Sequence, residues 1–194
     1  DKMGVLITNL GTPAAPTARA LRPYLKQFLS DPRVVEVPRA LWWFILNGVI
    51  LNVRPRRSAK AYQTVWTDEG SPLLIHTRNQ CEAIEQVLAA RYGEDIVVDF
   101  AMRYGEPSIE NALQQFAEIG VRKLLVLPLY PQYSASTTGS TFDAIAHDFT
   151  KRRWLPDFRF ISHYNDRRAY IAALAQKIQM HWQANGRADK LIFS

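Results

Sequence analysis

Short apolar runs alternate with segments of helical periodicity along most of this chain. Four of the runs are short and almost continuously apolar, as expected of strands buried on both faces. They cover residues 3–8, 96–102, 121–129 and 158–162. Residues 190–194 have the same character and predict the start of a fifth strand. The alternation predicts an α/β fold, a doubly wound parallel sheet with right-handed crossovers and flanking helices.

The intervening helices are predicted from capping residues and from apolar positions on one face. The predicted N-caps are Thr17, Thr77, Ser108 and Asp166. Thr77 has the spacing of a capping box with Gln80. A further helix follows the third strand and carries Phe142, Ile145, Ala146 and Phe149 on one face.

The segment after the third strand is the strongest candidate for a ligand site. Pro128 and Pro131 end the strand, because neither can donate a ladder hydrogen bond. The hydroxyl-rich loop that follows, residues 130–141, contains Tyr130, Tyr133, Ser134, Ser136, Thr137, Thr138, Ser140 and Thr141. Open α/β folds bind ligands at the carboxyl edge of the sheet, where this loop is expected to lie. Spare capping hydroxyls are the alternative interpretation.

Residues 41–51, here called the lip segment, are apolar on nearly every side of the helix that they predict. Tryptophans between basic flanks suit a membrane interface or the rim of a pocket for an apolar ligand. A buried helix or a dimer contact is the alternative. Residues 54–60 then bring four cations into seven positions: Arg54, Arg56, Arg57 and Lys60. These could hold the carboxylates of an amphiphilic ligand or form a solvated face.

Composition narrows the function classes. The net charge of +6 is compatible with an anionic ligand or an anionic membrane surface, and no nucleic-acid partner is expected. The single cysteine, Cys81, excludes an internal disulfide framework and fits the reducing cytoplasm. The chain has neither G-x-G-x-x-G nor a Walker A sequence, which argues against a nucleotide. No apolar run approaches the roughly 20 residues that span a bilayer.

Several motifs, distributed over essentially the whole chain, resemble the ferrochelatases of Gram-negative bacteria. They are Asn9-Leu-Gly-Thr-Pro13, residues 24–31, Lys60-Ala-Tyr62, Gly70-Ser-Pro-Leu73, Arg103-Tyr-Gly105, Leu129-Tyr-Pro-Gln-Tyr-Ser134 and Ser136-Thr-Thr-Gly-Ser140. The resemblance implies a chelatase-like fold of two Rossmann-like halves, each with a four-stranded parallel sheet. We expect residues 1–165 to form the N-terminal half. Residues 166–194 are expected to supply the crossover helix and the first strand of the second half, in a longer protein.

The resemblance also implies an activity. Ferrochelatases are lyases that insert Fe²⁺ into protoporphyrin IX to form protoheme, the last step of heme biosynthesis, and release two protons. The implied partners are protoporphyrin IX, ferrous iron and the C-terminal half of the same chain. No resident cofactor is expected in these residues, and the sequence says nothing about an iron–sulfur cluster elsewhere in the protein. The alternatives are a non-catalytic tetrapyrrole-binding protein and a chelatase for another tetrapyrrole, such as coproporphyrin.

Site residues are carried over from the resemblance one by one. The implied substrate-binding residues are Leu10, Arg57, Lys60, Tyr62, Ser71, Tyr130, Ser134, Thr137 and Thr138, and the implied lip residues are Leu41, Trp42 and Ile45. Arg57 and Lys60 are expected to meet the porphyrin propionates. The family's metal-binding, proton-accepting histidine is expected directly after Ser194, so no catalytic or metal-binding residue is expected in these residues. The segment alone is expected to be inactive.

Overall fold

The computed structural model describes residues 2–93 and 95–192. The chain divides into two compact units between Ser162 and His163, whereas the sequence predicted a boundary after residue 165. The first unit contains the sheet. The second contains one long helix, α7 (Arg168–Asn185), which begins after Arg167 rather than after the predicted cap, Asp166.

The sheet has four parallel strands, as predicted. They are β1 (Met3–Gly11), β2 (Ile96–Tyr104), β3 (Lys123–Pro128) and β4 (Asp157–Phe160), in the order β2-β1-β3-β4. β1 is central, and the side chains of Leu6 and Ile7 are fully buried on its two faces. β1 and β2 both extend past their predicted ends at residues 8 and 102. The predicted fifth strand is not formed in residues 190–192, and residues 193 and 194 lie outside the described part.

Helices cover both faces of the sheet. The helices of the first unit are α1 (Ala18–Ser30), α2 (Arg39–Ile45), α3 (Leu51–Val65), α4 (Pro72–Tyr92), α5 (Ile109–Glu118) and α6 (Ser140–Lys151). α5 and α6 pack with Leu6 of β1 on one face, and α4 packs with Val5 and Ile7 on the other. A separate aromatic and aliphatic cluster joins α1 and α3 to Tyr104 at the end of β2.

α4 begins at Pro72, so the predicted start at Thr77 is wrong. Proline is favoured at the first helical position because its φ is preset and its missing N–H would have no helical partner there. Thr77 lies inside the helix, fully buried. Its hydroxyl donates to the Leu73 carbonyl at 2.7 Å and accepts from the Asn9 side chain at 3.0 Å, which links α4 to β1.

α2 and α3 are joined by a single π-helical turn, Leu46–Ile50, and α3 continues through Pro55. A proline inside a helix cannot donate to the carbonyl four residues earlier, which here belongs to Leu51. Arg22 of α1 supplies the missing donor, with its Nη1 3.0 Å from the Leu51 oxygen. α3 therefore carries the cations of residues 54–60 within one helix that continues to Val65.

Gly11 allows the ends of β1 and β2 to approach closely. Its φ is 107°, in the left-handed region. A Cβ at this position would lie 1.8 Å from the Tyr104 carbonyl oxygen. The Tyr24 hydroxyl donates to the Gly11 carbonyl at 3.2 Å, which attaches α1 to the same point.

Gly11→Ala is expected to destabilise the protein by about 4 kcal/mol or more, because backbone strain is added to a clash with backbone atoms. Gly70→Ala is the matched control: Gly70 has a φ of 115°, but a Cβ there meets nothing within 4 Å. The control should lose only about 1–2 kcal/mol from the left-handed conformation. Urea unfolding of both variants measures the difference, and equal losses would contradict the close approach.

Candidate functional site at the carboxyl edge of the sheet

The carboxyl edge of the sheet brings together residues that are far apart in the chain. Because all strands are parallel, the ends of β1, β2 and β3 meet there. The hydroxyl-rich loop leaves the end of β3 at this edge. Its last part is helical: residues 135–139 form a second π-helical turn, and α6 starts at Ser140.

Four tyrosines, Tyr24, Tyr62, Tyr104 and Tyr130, lie close together near this edge. Burial raises the pKa of Tyr24, and the neighbouring phenols of Tyr62, Tyr130 and Tyr104 raise it further. Burial also raises the pKa of Tyr104 to about 12 and that of Tyr130 above its ordinary value. All three phenols therefore stay protonated at neutral pH. The hydroxyls of Tyr24 and Tyr104 donate inside the fold, to the Gly11 carbonyl and to Asp31, and it is the half-buried Tyr62 and Tyr130 that present aromatic surface.

A buried carboxylate connects the ends of three elements. Asp31 directly follows α1, and its side chain is 4% exposed. Its Oδ2 accepts from Arg103 Nη2 at 2.7 Å, from the Tyr104 hydroxyl at 2.7 Å and from Ser140 Oγ at 2.5 Å. Arg103 Nε also donates to Ser140 Oγ at 2.7 Å. We call Asp31, Arg103, Tyr104 and Ser140 the Asp31 network.

The Asp31 network holds its carboxylate in the ionised form. Burial pushes the pKa of Asp31 upwards, but hydrogen bonds from Ser140, Tyr104 and the Arg33 N–H, with the charge of Arg103, outweigh it. The pKa of Asp31 is therefore held below its ordinary value. A carboxylate with a lowered pKa and this many donors is a poor proton acceptor at neutral pH. Its chemistry is that of an anchor.

Five buried hydroxyl oxygens have no hydrogen-bond partner among the described protein atoms. They belong to Thr8, Thr12, Tyr130, Thr138 and Thr141. Buried polar groups are nearly always satisfied in folded proteins. Thr8 lies within β1, Thr12 follows β1, and Tyr130, Thr138 and Thr141 lie between the end of β3 and the first turn of α6. Their oxygens are thus available to ordered water.

The structure places the predicted site residues in three groups. Leu10 and Tyr62 pack in the cluster around Tyr24, close to Tyr130. Arg57 and Lys60 are exposed on α3, the helix that carries Tyr62. The remaining residues are Ser71, which is buried beside an open groove of about 360 Å³, Ser134, which is exposed, Thr137, which is half-buried, and Thr138, which is fully buried. Their roles in binding stay predictions.

The lip segment presents apolar side chains to solvent. Leu41 is 55% exposed and Ile45 36%. Trp43 and Phe44, which were not among the predicted lip residues, are 60% and 67% exposed. Trp42 differs: it is half-buried, packs on the cluster that joins α1 and α3, and donates from Nε1 to the Leu29 carbonyl at 2.7 Å.

Sequence reasoning missed the Asp31 network as part of the site. In the sequence, Asp31 and the pair Arg103 and Tyr104 stand only in motifs of the family resemblance. The available signal was that Arg103 and Tyr104, two polar residues, directly follow the strand predicted to end at residue 102.

Within the described residues no group of three or more His, Cys, Asp or Glu side chains could hold a metal ion. No helix in this part of the chain combines the length and apolar character needed to cross a membrane.

The lowered pKa of Asp31 predicts a pH dependence of stability. A carboxyl group whose pKa is lowered by folding stabilises the protein fully above its pKa in the unfolded chain, about 3.9. This stabilisation is lost as the pH falls through the lower pKa of the folded state. The unfolding free energy should therefore decline below about pH 5. Asp31→Asn should cost about 3 kcal/mol at neutral pH and show a shallower acid decline. Urea unfolding from pH 2.5 to pH 7 checks this, and parallel pH curves for both proteins would contradict it.

Comparison with known proteins agrees with this architecture. The ferrochelatase family model matches residues 2–194. The chain is 69% identical over its whole length to a ferrochelatase of Idiomarina loihiensis and 66% identical to one of Marinobacter nauticus, covering 53% and 52% of those proteins. A ferrochelatase of Teredinibacter turnerae is 64% identical over 193 residues, with 53% of that protein covered.

The chain thus spans about half the length of the curated relatives that it matches. The match of the family model extends over both compact units, and the four-stranded parallel sheet confirms the fold expected from the resemblance. We conclude that this chain belongs to the ferrochelatase family.

Proposed function

We propose that the full-length protein containing this chain is a ferrochelatase, a lyase that inserts Fe²⁺ into protoporphyrin IX and releases two protons. The observation that carries the proposal is the composition of the carboxyl edge. Neutral phenols and apolar side chains there lie near α3, which carries exposed Arg57 and Lys60. A flat apolar ring with carboxylates on its rim requires these two kinds of surface.

In this proposal, contacts of cations with the propionates on the porphyrin rim supply much of the binding energy. Arg57 and Lys60 are three positions apart on α3, so they project from the same side of the helix. Each would attract a propionate, and the arginine fork matches a carboxylate in two hydrogen bonds. Metal insertion needs a bent macrocycle that exposes a nitrogen lone pair. Energy from contacts away from the reacting centre can supply that distortion.

The proposed reaction also needs a base for the two pyrrole protons. The groups at this edge do not provide one: Asp31 is held ionised by its donors, and the tyrosines stay protonated. We therefore propose that these residues supply binding surface and that the base belongs to the other half of the protein. Ferrous iron is then a substrate, and residues 1–194 on their own would bind porphyrin without turnover.

The full-length protein is expected to insert Fe²⁺ into protoporphyrin IX under anaerobic conditions. The change in the porphyrin absorption spectrum measures the rate of insertion. Arg57→Gln should raise the KM for protoporphyrin about fivefold to tenfold, because a charge-assisted contact contributes about 1–1.5 kcal/mol. Arg56→Gln is the matched control, since Arg56 is an equally charged, exposed neighbour on a different side of α3.

Equal effects of the Arg57 and Arg56 substitutions would argue against a specific propionate contact and for a general charge effect. Porphyrin binding without any metal insertion by the full-length protein would favour a non-catalytic tetrapyrrole carrier. Insertion only into coproporphyrin would favour a chelatase for that substrate. The three outcomes are read from the same spectra.

We also propose that the protein is cytoplasmic and makes a peripheral contact with the inner membrane through the lip segment. Trp43, Phe44 and Val49 are each more than half exposed, and Val53, at the start of α3, is 66% exposed. Basic residues flank them at Arg39 and in residues 54–57. Exposed aromatic and aliphatic side chains between cations suit the interface of an anionic bilayer.

The full-length protein is expected to co-sediment with vesicles of mixed phosphatidylcholine and phosphatidylglycerol. The double variant Trp43→Ser, Phe44→Ser should lower this binding about tenfold or more, because it removes two large apolar side chains from the interface. Val87→Ser is the control, since Val87 of α4 is 66% exposed but lies away from the lip segment in sequence. Unchanged vesicle binding by the double variant would refute the membrane contact.

A further inference from the structure

The hydroxyl-rich loop is attached to the rest of the fold near its two ends. At the start, the N–H of Leu129 donates to the Thr8 carbonyl at 2.8 Å. At the far end, Ser140 is bound by Asp31 and Arg103. Between these points the described backbone hydrogen bonds stay inside the loop, such as that from Gly139 N–H to the Ser134 carbonyl at 3.1 Å. The placement of the loop therefore depends on its anchors.

The anchor at Ser140 depends on an ionised carboxylate. Asp31 Oδ2 accepts from three donors at once, on Arg103, Tyr104 and Ser140. A carboxylate accepts hydrogen bonds through both of its oxygens and donates none. The other oxygen, Oδ1, accepts from the Arg33 N–H at 2.8 Å, so an asparagine of the same size would direct its NH₂ group either at the three donors or at that N–H. It would also leave Arg103, whose side chain is 17% exposed, without its counter-charge.

We propose that Asp31 is a positioning residue whose carboxylate holds the hydroxyl-rich loop in place and thereby sets the affinity for porphyrin. This inference rests on the proposed function, because the loop contains Tyr130, Ser134, Thr137 and Thr138. Asp31 acts through Ser140 and Tyr104 and touches no substrate itself. The ligand of this loop would be a large planar tetrapyrrole that contacts the hydroxyls and phenols of the carboxyl edge.

A second ion pair joins the same two segments and provides a matched comparison. Arg33, two residues after Asp31, pairs with Asp143, three residues after Ser140. This pair is half-buried, with side chains 37% and 46% exposed, whereas the Asp31 side chain is 4% exposed. Water reaches and screens the Arg33–Asp143 pair, whereas the Asp31 carboxylate is buried and accepts from several donors, which fixes the positions of its partners. The buried contact is therefore the one that should control the loop.

The test uses the full-length protein and three variants: Asp31→Asn, Ser140→Ala and Asp143→Asn. Protoporphyrin IX binding is measured by fluorescence quenching, KM is measured separately for protoporphyrin and for Fe²⁺, and thermal unfolding reports the folded fraction. Asp31→Asn and Ser140→Ala should raise the Kd and KM for protoporphyrin about tenfold or more, because small misplacement of binding groups is costly. The KM for Fe²⁺ should stay unchanged. Asp143→Asn should change the protoporphyrin constants by no more than about twofold.

Ser140→Ala keeps the test decisive if Asp31→Asn folds poorly. It removes the hydrogen bond from the loop to Asp31 and leaves the carboxylate with Arg103 and Tyr104, while Arg103 Nε still donates to the carbonyl of residue 140 at 2.9 Å. A merely structural role would lower the thermal midpoint and the active fraction and leave the Kd of the folded protein unchanged. That result, or equal effects of the Asp31 and Asp143 substitutions, would overturn the inference. Failure of the wild-type protein itself to bind porphyrin would instead remove the proposed function, and this inference with it.

Discussion

The ionised carboxylate of Asp31 is the constraint around which the carboxyl edge of the sheet is arranged. Burying a charge is costly unless it is surrounded by donors. The donors here come from the end of β2 and from the start of α6, while the carboxylate itself comes from the end of α1. The end of α1, the end of β2 and the start of α6 must therefore lie close together. The position of the hydroxyl-rich loop, which leads into α6, depends on this contact.

A second constraint acts beside the first. The close approach of Gly11 to the Tyr104 carbonyl brings β1 against β2 at the edge, in a geometry that a side chain at position 11 would prevent. Tyr104 can then direct its hydroxyl to Asp31 while its ring packs edge-on against Phe28, with centroids 5.1 Å apart. Backbone proximity and the buried charge thus specify the same arrangement of α1 and β2.

The buried carboxylate, the tyrosines and the exposed cations occupy different parts of the proposed site. The buried charge is used for geometry, and its donors leave it little capacity to accept a proton. The half-buried Tyr62 and Tyr130 contribute aromatic surface, while Tyr24 and Tyr104 are buried inside the fold and stay protonated. The cations that could meet a carboxylate-bearing ligand are exposed on α3, where long flexible side chains can reach outward. This division suits recognition of a planar, amphiphilic molecule, with proton transfer assigned to groups elsewhere.

Local patterns in the sequence were sufficient for the four parallel strands and for most of the helices, because burial of continuous apolar runs and helical periodicity are short-range signals. They were also sufficient to identify the hydroxyl-rich loop, whose residues are adjacent in the chain. They failed at the start of α4, where Pro72 decided the boundary, and along α3, where Arg22 satisfies the carbonyl that Pro55 leaves without a helical donor.

The sequence by itself determined the fold class, the family resemblance and the chemical character of the carboxyl edge. Only the tertiary structure decided which residues hold that edge together. The partners of Asp31 are 72, 73 and 109 positions away in the chain, so no local pattern links them. The tertiary structure likewise decided that Trp42 faces inward while Trp43 faces solvent, although both belong to one apolar run. Which side of a helix is buried depends on the neighbours that pack against it, and those come from distant parts of the chain.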